Sequence, residues 1–187
     1  MEYLITFLLV ALLVGLLTAA YAGLTGGAPT LPTGRSERLR IREIANIGSE
    51  DKIFCDLGSG TGRLLFELAT LYPHCQFIGV ELSLLPYLYS RAYQALAGRQ
   101  LKNIRLYYGD LFHFNVREAD VVFTFQIPGC YHKLRNKFTR ELKDDGRLVI
   151  EAWSFDDLEP LVRVKDERSL ALYVFEGWQF RQQQNTR

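Results

Sequence analysis

The sequence predicts an α/β fold: a doubly wound sheet, mostly parallel, with a C-terminal antiparallel hairpin and one transmembrane helix in front of it. Three observations predict it. Residues 3 to 34 carry no charged side chain. From residue 36 onward, short apolar runs alternate with longer helical patterns. Glycines cluster where the first apolar run gives way to a helical pattern. The 187 residues hold 22 basic and 21 acidic side chains, and all of them except Glu2 lie from Arg35 onward. That part is only slightly basic, which argues against a polybasic nucleic-acid binder. It is too small for two full domains and large enough for one well-buried core. Collagen-like, disulfide-rich and wholly disordered classes are excluded by composition. Cys55, Cys75 and Cys130 form no C-x-x-C pair and leave an odd thiol, as expected for buried small apolar residues in a reducing compartment.

The elements follow in order. Residues 1–24 form a membrane anchor: Tyr3 to Ala22 is uncharged and leucine-rich, and as a helix it would be roughly 30 Å long, the thickness of a bilayer core. Ala20-Tyr21-Ala22 resembles a signal-peptidase site. The absence of a basic n-region and the length of the apolar run favour a retained anchor. Arg35, Arg38, Arg40 and Arg42 follow it, so the positive-inside bias puts a single-pass protein's globular part on the cytoplasmic (or matrix) side. Residues 25–35 are a Gly/Pro/Thr linker, and residues 36–187 the domain. Within the domain, Ser36 to Ile47 is an amphipathic helix with Ser36 as its cap. Lys52 to Asp56 is a strand, Gly62 to Tyr72 a helix, Gln76 to Glu81 a strand and Leu85 to Ala97 a helix. Ile104 to Tyr108 and Ala119 to Phe125 are strands, Tyr131 to Leu142 a helix and Gly146 to Ala152 a strand. Val162 to Lys165 and Leu170 to Phe175 form a closing hairpin. Strands alternating with helices imply a Rossmann-like parallel sheet with right-handed crossovers, whose ligands bind at the carboxyl ends of the strands.

The strongest local signal is Asp56-Leu57-Gly58-Ser59-Gly60-Thr61-Gly62 at the first of those ends. Glycines let the backbone turn tightly and approach a ligand closely, and the helix beyond offers unpaired N–H groups. The G-x-G-x-G spacing departs from the dinucleotide fingerprint G-x-G-x-x-G, which opposes an NAD-binding oxidoreductase. Asp56, two positions before the first glycine, suits a ligand bearing a cationic amine. Glu81 closes the second strand, where a carboxylate can accept from a ribose diol. Asp110, after the third strand, is placed to accept from an exocyclic amino group, or to cap a helix.

This pattern of D-x-G-x-G-x-G, an acid after the second strand and G-D after the third resembles the class I (seven-β-strand) S-adenosylmethionine-dependent methyltransferases, over roughly residues 37 to 178. The resemblance implies that Gly58, Ser59, Gly60, Thr61 and Gly62 seat the methionine moiety of S-adenosyl-L-methionine. It places Glu81 and Leu82 at the ribose, Asp110 and Leu111 at the adenine, and Asp56 beside the amino-acid end. The apolar N-terminus, Pro32-Thr33, the Pro86/Ser90/Arg91 run, Pro128 and Leu134 to Asp145 sharpen the likeness. Together they resemble the small membrane-anchored protein-lysine methyltransferases that include the ATP synthase c-subunit lysine methyltransferase group. Thr61 and Tyr87 depart from that group, where an acidic residue and a tryptophan are commoner.

Methyl transfer needs alignment and a deprotonated nucleophile more than an elaborate acid–base apparatus. On the acceptor side, Gln126 could orient an amine through its carbonyl oxygen and Pro128 could stiffen the rim; the alternative is an ordinary turn. The [D/N/S]-P-P-[Y/F] box of amino-methylating nucleic-acid enzymes is missing. His74, His113 and His132 lack metal-ligand spacing, so no metal is expected. Thr33, with Pro32, could fold over the cofactor as a lid. The expected partners are the bilayer and a protein substrate, possibly a small membrane protein, methylated on a lysine ε-amine. Methylation of a lipid or small hydrophobic molecule, and a non-catalytic cofactor-binding assembly role, are the alternatives.

Overall fold

Ile53–Leu57 (β1) carries alternate residues to opposite sides of a sheet, and the other central strands do the same. The structure, a computed structural model, describes residues 2–24, 33–166 and 169–182. The linker residues 25–32, with Pro32, and the polar tail 183–187 lie outside the described residues. Seven strands form one sheet: β1, Gln76–Glu81 (β2), Ile104–Tyr108 (β3), Val121–Thr124 (β4), Arg147–Glu151 (β5), Val162–Val164 (β6) and Leu172–Glu176 (β7). Their order is β3-β2-β1-β4-β5-β7-β6. The first five are parallel, and β7 runs antiparallel between β5 and β6. The expected mostly parallel sheet with a closing hairpin is therefore the observed one. The chain order reverses between β1 and β4, which opens a crevice at their carboxyl ends.

Two apolar layers fix that crevice. On one face Phe54, Phe77, Leu106, Phe123 and Val149 pack against Arg35–Ala45 (α2), Arg63–Leu71 (α3) and Leu84–Ala97 (α4). On the other, Cys55, Leu57, Val122, Leu148 and Ile150 pack against Tyr131–Glu141 (α5) and Gly177–Gln182 (α6). All three cysteines are buried thiols. The second layer also contains Lys137, only 1% exposed, whose ammonium is held by Glu141 and the carbonyl of Phe114. A buried ammonium is tolerated only when its donors are taken in this way.

Two expectations change. Ser36 does not cap α2; Gly34 stands at the N-cap, its carbonyl accepts from Arg38 N–H, and Ser36 Oγ turns to Glu37. Arg35 extends the helix by one residue, so Ser36 falls inside its first turn. The N-terminal segment forms a helix, Glu2–Leu24 (α1), whose described large side chains from Tyr3 to Leu17 are exposed. Among the described residues no helix is long and apolar enough to cross a membrane, so a transmembrane helix is not part of the observed fold.

Gly177 closes the β7–α6 junction against the main chain of the β4–β5 connection. A Cβ there would come 1.9 Å from the carbonyl oxygen of Lys143. Gly177→Ala is expected to lower stability in urea unfolding by about 2–3 kcal/mol. Gly129→Ala, where nothing lies within 4 Å, should change it little. Equal midpoints for the two variants would contradict this packing.

Candidate active site

The loop after β1 adopts the conformation that its glycines permit. Gly58, Gly60 and Gly62 all have positive φ, at 92°, 55° and 75°, a region costly for residues bearing a Cβ. Gly58 and Ser59 donate N–H bonds to the carbonyl of Val80 at 2.9 and 3.0 Å, so the loop is fastened to the end of β2. A Cβ on Gly58 would meet Gln126 Nε2 at 2.4 Å; a Cβ on Gly62 would meet Phe66 at 2.8 Å. Gly62 then leads directly into α3, whose first turn has unpaired N–H groups. Thr61 is half-buried within the same loop.

Glu81 ties this loop to the next. It is 7% exposed; one oxygen accepts the Gly60 N–H at 2.7 Å and the other the Ser83 N–H at 2.7 Å. A carboxylate has about four acceptor positions, so Glu81 can hold its loops and still receive a diol. Leu82, between the two anchored positions, is half-buried. Asp110 also has a local role: Oδ1 accepts the Phe112 N–H at 2.9 Å, and Oδ2 lies 3.4 Å from His113 Nδ1. Asp110 thus caps a turn and not a helix, with Leu111 half-buried beside it.

Asp56 is 3% exposed, and its Oδ1 has no hydrogen-bond partner. Its pKa lies well above the ordinary carboxylate value, first through burial and then through the charges of Glu81 and Glu151. Ser59 Oγ is likewise buried without a partner. Orphaned polar atoms beside a glycine cradle fit a ligand with donors of its own.

Glu151 was missed in the sequence reading. It ends β5, is 1% exposed, and its Oε2 has no partner. Burial raises its pKa to about 7; Glu37 adds to the rise and Arg40 opposes it. Its side chain shares the face of Val149, which is also the face of Phe54 and hence of Asp56. The available signal was an acidic residue closing an apolar strand run, the signal that singled out Glu81.

The acceptor-side residues separate. Gln126 is buried; its Nε2 donates to the carbonyl of Leu57 at 3.1 Å, and Oε1 makes no hydrogen bond among the described residues. Pro128 is exposed and opens the short 3₁₀ turn before α5, away from that contact. Thr33 lies at the α2 entry: its carbonyl accepts from Arg38 Nη1 at 2.7 Å, while Arg38 Nε pairs with Glu67 at 2.8 Å. No hydrogen bond joins Thr33 to the glycine loop among the described residues. His74, His113 and His132 are widely separated, their ring nitrogens facing Gly48, Asp110 and Asn136 respectively.

A family model described as the ANTKMT methyltransferase domain matches residues 56–162, from Asp56 to the first residue of β6. A protein-lysine N-methyltransferase of Saccharolobus islandicus (strain REY15A) is 28% identical over 155 residues, covering 78% of this chain and 92% of the relative. A histone-lysine N-methyltransferase of Drosophila melanogaster, H3 lysine-79 specific, is 28% identical over 115 residues, 54% of this chain and 6% of that protein. Among solved structures, an RNA methyltransferase from Salinibacter ruber in complex with S-adenosyl-L-homocysteine is similar with TM-score 0.72 and 25% identity, covering 78% of this chain and 93% of that one.

The buried carboxyl of Glu151 gives the fold a pH dependence whose sign is determined. Its pKa is 4.5 in its ordinary state and about 7 in the fold. Its contribution is therefore fully present below about 4.5 and lost as pH rises through about 7, by about 3 kcal/mol in total. Glu151→Gln should leave stability nearly unchanged at pH 4 and raise the melting temperature above wild type at pH 8. A wild type more stable than the variant at pH 8 would reject the assignment.

Proposed function

The chain belongs to the ANTKMT methyltransferase domain family and is an S-adenosylmethionine-dependent methyltransferase, and from that premise we propose that it methylates a protein lysine ε-amine at a membrane surface. The observation that carries the lysine reading is the similarity to an archaeal protein-lysine N-methyltransferase along 92% of that relative's length. A sulfonium cofactor supplies an electrophilic methyl group. What the protein contributes is alignment, desolvation and stabilisation of positive charge.

The roles follow the strand ends. Gly58 to Gly62 cradle the methionine moiety, with the α3 N-terminus toward its carboxylate and Asp56 toward its ammonium. A cation there would favour ionised Asp56, which burial otherwise opposes. Glu81, with Leu82, receives the ribose through the acceptor positions that Gly60 and Ser83 leave free. Leu111 and Asp110 flank the adenine. Gln126, fixed through Nε2 to the carbonyl of Leu57, would orient the acceptor amine through its carbonyl oxygen, with Pro128 as the rim. The apolar side chains that α1 exposes from Tyr3 to Leu17 support a membrane location for the N-terminal segment, without a span among the described residues. The arginines of α2 then keep the domain on the cytoplasmic or matrix side. Thr33, held through Arg38 to Glu67 one turn into α3, would cover the cofactor as a lid.

Membranes incubated with methyl-labelled S-adenosylmethionine and the full chain should acquire label in protein lysine. Glu81→Gln, which keeps the size of the side chain and removes its charge, should weaken S-adenosylhomocysteine binding by about 10–100-fold in calorimetry and abolish labelling. Label confined to the lipid extract would replace the lysine reading with lipid methylation. A chain lacking residues 1–34 should bind S-adenosylhomocysteine more weakly than the full chain; equal affinities would remove the lid.

A further inference from the structure

We propose that Glu151 and the stacked pair Phe125 and Trp153 form the acceptor-amine site, a slot that takes a primary alkylammonium and leads it to the cofactor crevice. The proposal rests on the methyltransferase reading and specifies where the amine enters.

Four observations point to a ligand. Glu151 Oε2 is buried and without a partner, and its residue is 1% exposed at the carboxyl end of β5, the strand paired with β4 on the far side from the chain-order reversal. Phe125 follows Thr124, which is registered with Ile150, and so comes level with Glu151 on the neighbouring strand. The rings of Phe125 and Trp153 stack with centroids 6.2 Å apart and planes at 22°, and Trp153 is 43% exposed. The backbone between Glu151 and Trp153 is strained: Ala152 has φ 76°, and Trp153 N–H donates back to the carbonyl of Glu151 at 3.1 Å, closing a γ-turn. Such a turn at a residue with a Cβ costs about 1–3 kcal/mol and persists where surrounding bonds impose it. Here Ala152 N–H donates to the carbonyl of Ala171, and Tyr131 Oη donates to the carbonyl of Trp153 at 3.1 Å.

The parts suit a lysine side chain. Aromatic faces pack an alkyl stem and attract a cation, and an unpartnered buried carboxylate gains most from an ammonium. α2 closes the opposite side with Glu37 and Arg40, the charged groups that act on Glu151, so Trp153 marks the open entrance. The reaction balances. The alkylammonium gives one proton to the Glu151 carboxylate, and the freed nitrogen lone pair forms the N–CH₃ bond. The S–CH₃ bond breaks with its electron pair returning to sulfur, and the methylated nitrogen carries the positive charge away. A carboxyl whose pKa is about 7 can take and release that proton near neutrality.

The test uses the full chain loaded with S-adenosylhomocysteine and n-butylammonium as the probe, in wild type, Glu151→Gln and Glu151→Asp. Calorimetry should show butylammonium bound by wild type, at least tenfold weaker in Glu151→Gln and partly restored in Glu151→Asp. S-adenosylhomocysteine affinity should stay within about twofold throughout. Lysine labelling of membranes should fall at least a hundredfold in Glu151→Gln. No butylammonium binding by wild type, equal binding in all three, or a parallel loss of S-adenosylhomocysteine affinity would overturn the site; the last would assign Glu151 to the cofactor. If label enters lipid while butylammonium binding depends on Glu151, the amine site stands and only the lysine reading fails.

Discussion

The arrangement on which the rest depends is the burial of three carboxylates, Asp56, Glu81 and Glu151, on one face of one sheet. Each sits at the carboxyl end of a strand, and two act on the third: Glu81 and Glu151 both raise the pKa of Asp56, after burial. Like charges in a poorly solvated crevice oppose ionisation. The crevice therefore favours ligands that bring positive charge, and both substrates of a sulfonium-dependent amine methylation do so. A phosphate-bearing dinucleotide would meet the opposite field. Electrostatics thus reaches the same exclusion as the G-x-G-x-G spacing, by an independent route.

Glu81 shows how one side chain can be structural and receptive together. Its two backbone hydrogen bonds join the glycine loop to the start of α4, while Val80, its neighbour, holds Gly58 and Ser59 through a carbonyl. The end of β2 thereby organises the loop that follows β1. Because the glycines are already at positive φ, the loop does not wait for a ligand to acquire its shape. Pre-organisation of that kind reduces what binding must spend on ordering the backbone.

Much of this was legible in the sequence, because the glycine motif and the acids closing strand runs are local signals. Asp56, Glu81 and Asp110 could be singled out by position alone, and the alternation of strands with helices implied that β1 to β5 run parallel. What stayed illegible depends on contacts between distant segments. Ser36 reads as a cap until Gly34 is seen to start the helix one residue earlier. Gln126 reads as a residue that orients an amine, or as part of an ordinary turn; that its amide lies against Gly58 is visible only in the fold. Glu151 reads as one acid in GRLVIEA; only the pairing of β5 with β4 and β7 turns it into a sealed carboxyl on the sheet face of Asp56. The γ-turn at Ala152 leaves no sequence mark at all, since glycine would be the expected residue there.

α2 connects these matters to location. It is the first helix after the linker, and it touches the site twice: Glu37 and Arg40 act on Glu151, and Arg38 reaches Glu67 on the helix that the glycine loop opens. Arg40 also donates to the carbonyls of Leu170 and Val164, which ties α2 to the β6–β7 hairpin. A pull or tilt transmitted from the N-terminal segment would therefore be felt at the acceptor side of the crevice before it reached the ribose or adenine side. α2 thus couples the N-terminal side of the domain to Glu151 and to the helix that follows the glycine loop.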